Sequence, residues 1–140
     1  MPRYAASRTL PASVENVWAV LADSARWPEW WPGLMGAEPT VRRALAPGAL
    51  WQLEGTDRPS LFRRPQLGGT LLVLEVVPLE RIAFQLSTEH ADVELDLRPD
   101  EDGQTQASLA VDAPRFGGIG RTLPSQALSG LAALVRLPAE

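Results

Sequence analysis

The chain has no cysteine and no lysine, one histidine, one tyrosine and two methionines. Without cysteine it can make no disulfide, no thiolate nucleophile and no cysteine-based metal site. Without lysine it has no side-chain amine for Schiff-base chemistry. Its 13 basic residues are therefore all arginine, a group that pairs with anions but does not give up its proton. A single His90 excludes a metal site built on several imidazoles. No run of about 18 apolar residues occurs, so no transmembrane helix and no stable membrane insertion is expected. The opening stretch MPRYAASRTLPAS lacks the apolar core of a signal peptide, and the expected location is the cytoplasm. The net charge of −4 gives no overall attraction to nucleic acid or to anionic lipid.

What is present is an ordinary globular composition, 45% hydrophobic and 21% charged. At 140 residues the chain reads as one domain, 1–140, able to bury roughly two-thirds of its unfolded surface. One stretch departs from the ordinary. ARWPEWWPGL, residues 25–34, holds three of the five tryptophans together with two prolines. Such a segment either plugs a core or lines a binding space.

The periodicity reads as follows. Residues 3–10 alternate and end at Pro11, as a strand would. Ser13 is placed to cap a helix whose apolar stripe is Val14, Val17, Trp18 and Leu21. A second short helix starts near Asp23 and is expected to break at Pro28 or Pro32. The period then changes to that of strands, expected at 37–45, 49–55, 70–77, 81–87, 91–97 and 105–111. Asp102-Gly103 marks the last hairpin. Six successive strands imply an antiparallel meander. Residues 122–137 close the chain as a helix with Pro124 near its first position.

With that order in view, three segments carry a resemblance. RTLPASVENVWAVLADSARWPEWWPGL, LLVLEVVPLERIAF and EHADVELDLRPDEDGQTQASLAV follow one another as they do in the START-like helix-grip superfamily. The match is nearest to its SRPBCC branch, the polyketide cyclase/dehydrase-like proteins, and spans about residues 3–136. Gly103-Gln104-Thr105 departs from that branch's usual Gly-Gly-Thr turn, and Trp31 stands where a smaller or polar residue is usual. The resemblance implies an α+β helix-grip fold. A seven-stranded curved antiparallel sheet would wrap around a long C-terminal helix, with two short helices between strands 1 and 2. It also implies a cavity under that helix for an apolar small molecule, aromatic, polyketide-like or lipid-like. Relatives include cyclases, carriers and chaperone cofactors, so a cyclase/dehydratase and a protein-interaction module stay open as alternatives.

Strand phase and this architecture together mark the expected ligand-binding residues. They are Trp30, Trp31 and Leu34 at the tryptophan segment, and Trp51, Leu53, Leu72, Leu74, Phe84, Leu86 and Leu95 on the sheet. Leu128 and Leu131 join them from the last helix. Trp27 is expected to seal the short helix against the sheet. Trp30 is expected in the cavity wall, whereas Trp31 fits cavity, rim or exposed patch. Almost none of these side chains titrates, and general acid–base catalysis needs a group that does. No catalytic residue is therefore assigned.

The remaining candidates read as surface. His90 lies in phase with Asp92, Glu94 and Asp96 on the outward face. Neighbours in that acidic row stand about 7 Å apart, too far to share a metal ion easily. Arg58, Arg63 and Arg64 sit in a long loop, either solvated or meeting an anionic group at the cavity mouth. No metal and no cofactor is expected. The expected partner is a hydrophobic small molecule, with no nucleic acid, and the chain is expected to be a monomer or homodimer.

Overall fold

The computed structural model describes residues 3–41, 45–55, 69–87, 90–113 and 121–136. Strand β1 (Arg3–Leu10) leads into helix α1 (Val14–Leu21) and a 3-10 helix (Ser24–Glu29). Six strands follow: β2 (Leu34–Val41), β3 (Leu50–Gly55), β4 (Thr70–Val77), β5 (Arg81–Leu86), β6 (Ala91–Pro99) and β7 (Thr105–Asp112). Helix α2 (Leu123–Arg136) comes last. The strands form one sheet in the order β1-β7-β6-β5-β4-β3-β2, every neighbouring pair antiparallel. The meander is as expected from the succession of six strands, and β1 closes it beside β7. This is the helix-grip α+β architecture.

Local chemistry explains the joints. The Ser13 hydroxyl accepts the Asn16 N–H at 3.3 Å and starts α1. Asp23 accepts the Ala25 N–H at 3.1 Å and starts the 3-10 helix. Pro28 does not break that element but sits inside it, because a 3-10 turn so short has few N–H groups to lose. Gly33, at φ 78°, takes the left-handed conformation that turns the chain into β2. Strand β2 therefore begins at Leu34 rather than near residue 37, and Leu34 pairs with Gly55. At the corner between β1 and α1, the buried Thr105 hydroxyl donates to the Ala12 carbonyl at 2.8 Å.

One face of the sheet is apolar and covered, the other polar. On β6, Val93, Leu95 and Leu97 are buried, while Asp92, Glu94 and Asp96 alternate to the other face. On that outer face Arg81 meets three carboxylates, Glu75 at 2.9 Å, Asp96 at 2.8 Å and Glu94 at 3.1 Å. Its hydrogen bond to Asp96 raises the guanidinium pKa further, reinforced by the nearby carboxylate charges and opposed by partial burial. Arg3 bridges Asp112 and Glu94 on the same face. The covered face packs on α1, the 3-10 helix and α2. From α2 the buried side chains are Pro124, Ala127, Leu128, Leu131, Ala132 and Leu134.

Strand β4 corrects the expected phase. Leu71 and Val73 are buried on the covered face. Leu72 is only partly buried, and Leu74 is 49% exposed. TLLVLEVV is apolar at nearly every position, so period two leaves no mark in the sequence. A register shift between Val73 and Glu75 then changes the phase again. Leu72 and Leu74 therefore do not belong with the covered-face residues.

Candidate functional site

The tryptophan segment folds into the covered face as an aromatic cluster. Trp27 is its hub. Its ring lies 4.6 Å from Trp30, 6.0 Å from Trp31, 5.1 Å from Trp51 and 5.2 Å from Phe84, centroid to centroid. Trp51 and Phe84 meet it edge-on, the arrangement in which a ring's positive rim faces a neighbour's negative face. Trp31 meets Trp30 and Phe84 at 5.5 and 5.7 Å, also edge-on. Trp51 comes from β3 and Phe84 from β5, so the cluster ties the 3-10 helix to two strands.

The three expectations for this segment resolve individually. Trp27 is buried and its indole Nε1 donates to the Leu21 carbonyl at 2.9 Å, sealing the end of α1. Trp30 is 3% exposed and caps the 3-10 helix. Trp31 is buried too, so it is not an exposed patch. Leu34, Trp51, Phe84, Leu86, Leu95, Leu128 and Leu131 are all buried, and Leu53 packs against them from a partly buried position. Trp51, Phe84, Leu95 and Leu131 have no exposed surface, so no water-sized void touches them. In this structure their surroundings are filled by protein.

Two polar atoms in the cluster are left over. The indole Nε1 groups of Trp30 and Trp51 are buried and have no acceptor among the described residues. A buried donor without a partner costs about 1–3 kcal/mol. Trp27 shows that the same fold satisfies a buried indole where the role is structural. The only buried polar or charged residue on the described chain is Thr105, already engaged with Ala12. The fully buried described residues thus offer two neutral donors and no acid or base, while the Tyr4 phenol packs against them from a partly buried position.

Residues beyond the expected set also shape the site. Leu71 and Val73 replace Leu72 and Leu74 on β4. Gly130 of α2 lies against the backbone of Trp30, where a Cβ would stand 2.6 Å from the carbonyl oxygen. A glycine in mid-helix is a legible signal of such close approach. A groove of about 280 Å³ runs between β1 and α2, lined by Ala6, Ser7, Arg8, Ser125 and Leu128. Arg8 spans it, donating to the Ser129 hydroxyl at 2.9 Å. Leu128 belongs to the core, so the groove is a place where solvent approaches the interior.

The larger depression, about 470 Å³, lies over Arg81, Asp96, Arg98 and Ser108 on the outer face. Its principal cation is already neutralised by three carboxylates, and it has no contact with the aromatic cluster. His90 is exposed, in a turn at φ 52°. No cluster of three or more potential metal ligands occurs among the described residues. No described helix is long and apolar enough to cross a membrane. Arg58, Arg63 and Arg64 lie outside the described residues.

Comparison with known proteins places this geometry. The family model described as polyketide cyclase / dehydrase and lipid transport matches residues 1–136. No curated protein matches the chain. Among solved structures, a protein of Chromobacterium violaceum is similar over 99% of this chain and 100% of its own, with TM-score 0.70 and 21% identity. The protein Ara h 8.0201 is similar over 96% of this chain and 97% of its own, with TM-score 0.68 and 8% identity. The Aha1 dimer of Colwellia psychrerythraea covers 96% of this chain and 92% of its own, with TM-score 0.60 and 15% identity. At these identities the likeness is one of fold.

Proposed function

Because the chain belongs to the polyketide cyclase/dehydrase and lipid transport family, we propose that it binds a hydrophobic small molecule between the sheet and α2. The molecule is aromatic, polyketide-like or lipid-like, and Trp30, Trp31, Leu34, Trp51, Phe84, Leu128 and Leu131 form its surroundings. The observation that carries this reading is the makeup of the interior. It gathers Trp27, Trp30, Trp31, Trp51 and Phe84 into one aromatic cluster, and it leaves two donors unused. Ligand sites are built this way, mostly apolar with a few polar groups that fix orientation.

The same interior supports binding over turnover. Proton transfer needs a titratable group within hydrogen-bond reach of the substrate. Among the described residues the buried set contains no carboxylate, imidazole or phenol. The closed packing means that a ligand must part the wall to enter. The seam between β1 and α2 is the natural place, since the groove there already reaches Leu128. The negative net charge favours neither nucleic acid nor an anionic membrane as partner. On this reading the chain works in the cytoplasm, as a monomer or homodimer.

Native mass spectrometry of protein purified without denaturation tests the proposal, with tryptophan fluorescence titration of a broad aromatic and lipid library. A co-purified apolar molecule, or saturable quenching by library members, is the expected result. An empty spectrum together with no saturable quenching across the library would falsify it.

A further inference from the structure

We infer that Trp30 and Trp51 are specificity-determining residues, whose indole N–H groups select an uncharged apolar ligand carrying an oxygen acceptor such as a ketone or ester carbonyl. The inference rests on the binding reading above and names the chemistry of that site's ligand. Both donors are almost wholly buried, Trp30 at 3% and Trp51 at 0% exposure, and neither has an acceptor among the described residues. Both rings touch Trp27, whose own N–H is satisfied at Leu21. The unused donors therefore belong to the two indoles that take no part in the α1 joint.

The two donors come from opposite walls. Trp51 rides on β3, where it pairs with Leu71 of β4, and so belongs to the sheet. Trp30 ends the 3-10 helix and lies under Gly130 of α2. An oxygen acceptor admitted beside either indole would satisfy a donor that the protein leaves unpaired, and a carbonyl has two lone pairs with which to do so. Charge is excluded by the same surroundings. No charged side chain is buried among the described residues. A carboxylate brought here would give up its hydration for two neutral donors, which do not compensate it. A hydrocarbon that parted the wall in the same way would leave both donors unpaired.

A matched panel separates these cases: aryl ketones of one to three rings, each with its alkyl isostere and its carboxylate counterpart. Affinity is read by tryptophan fluorescence. The indole N–H resonances are read on protein labelled with 15N-tryptophan. The ketones are expected to bind about tenfold tighter than their isosteres, and to shift the Trp30 or Trp51 indole resonance downfield, which the isosteres do not. Trp51→Phe is expected to erase most of the ketone's advantage. The resonance measurement uses the unsubstituted protein and stands even if that variant fails to fold. Equal affinities with unmoved resonances, or tighter binding of the carboxylate, overturn the selection while leaving a binding site in place. Failure of every compound to bind, up to its solubility limit, overturns the binding reading and this inference with it.

Discussion

Gly130 of α2 and Trp30 are in backbone contact: a Cβ added to Gly130 would lie 2.6 Å from the Trp30 carbonyl oxygen and 3.0 Å from its Cα. Helix and tryptophan segment are thus as close as two chains can come. Leu128, Leu131 and Ala132 of α2 are buried on either side of this contact.

Gly130→Ala tests the contact directly. In an unconstrained helix interior the change would stabilise by about 1 kcal/mol. Here the obstacle is backbone, which cannot rotate aside, and overpacking of that kind costs about 1–3 kcal/mol. The variant is expected to be less stable in urea unfolding despite its better helix propensity. Its tryptophan emission should shift to the red as Trp30 loses cover. Unchanged or increased stability would mean that α2 is held elsewhere.

Strand β4 offers a paired test of its phase. Leu71→Ala removes a fully buried side chain and is expected to cost about 2–5 kcal/mol. Leu74→Ala, at an exposed position, is expected to stay within about 0.5 kcal/mol of the parent. The opposite ranking would restore the phase read from sequence. Chemical denaturation of both variants decides it.

The contrast between β4 and β6 shows what a sequence carries. ADVELDL alternates because its two faces meet different media, so the pattern itself places Val93, Leu95 and Leu97 on the covered face. TLLVLEVV has no such contrast, and its bulge follows from pairing with β5, which no local pattern encodes. The cap at Ser13 and the turn at Gly103 were legible because each is a local bond or angle. The start of β2 was not, since it depends on the turn that Gly33 makes after the 3-10 helix. At the site, the tryptophans announced themselves by their cost in water. That Trp27 finds an acceptor while Trp30 and Trp51 do not is set by neighbours distant in sequence.

On the outer face, Arg81 holds together three carboxylates that would otherwise repel one another. Each pair is partly solvated, so each contributes about 1 kcal/mol or less. Arg81→Gln removes the cation and leaves the repulsion among Glu75, Glu94 and Asp96. Its destabilisation is expected to be clear at low ionic strength and to shrink strongly near 1 M salt, where screening acts over about 3 Å. The raised guanidinium pKa makes the cation's contribution present below the ordinary arginine value, and lost only as pH rises through the raised value. Between pH 6 and 9, roughly, Arg81 itself should therefore add no slope to stability. A salt-independent loss would point to packing rather than charge.

The turn between β4 and β5 predicts a gain. Glu80 N–H bonds to the Val77 carbonyl at 2.9 Å, with Pro78 and Leu79 between them. Leu79 has φ 67°, the left-handed conformation that a type II turn requires at this position and that suits glycine or asparagine. A leucine side chain there clashes with its own backbone at a cost of about 1–2 kcal/mol. Leu79 is 36% exposed, so the burial of the rest of the side chain offsets only part of the strain. Leu79→Asn keeps a side chain but tolerates the conformation, without the extra unfolded-state entropy that glycine brings. The variant is expected to be more stable by up to about 1 kcal/mol, a rise of about 2–4 °C in Tm. Leu79→Val, with branching at Cβ, should move the other way. Thermal unfolding of the two variants beside the parent checks the sign, and equal midpoints for all three would remove the strain from this turn.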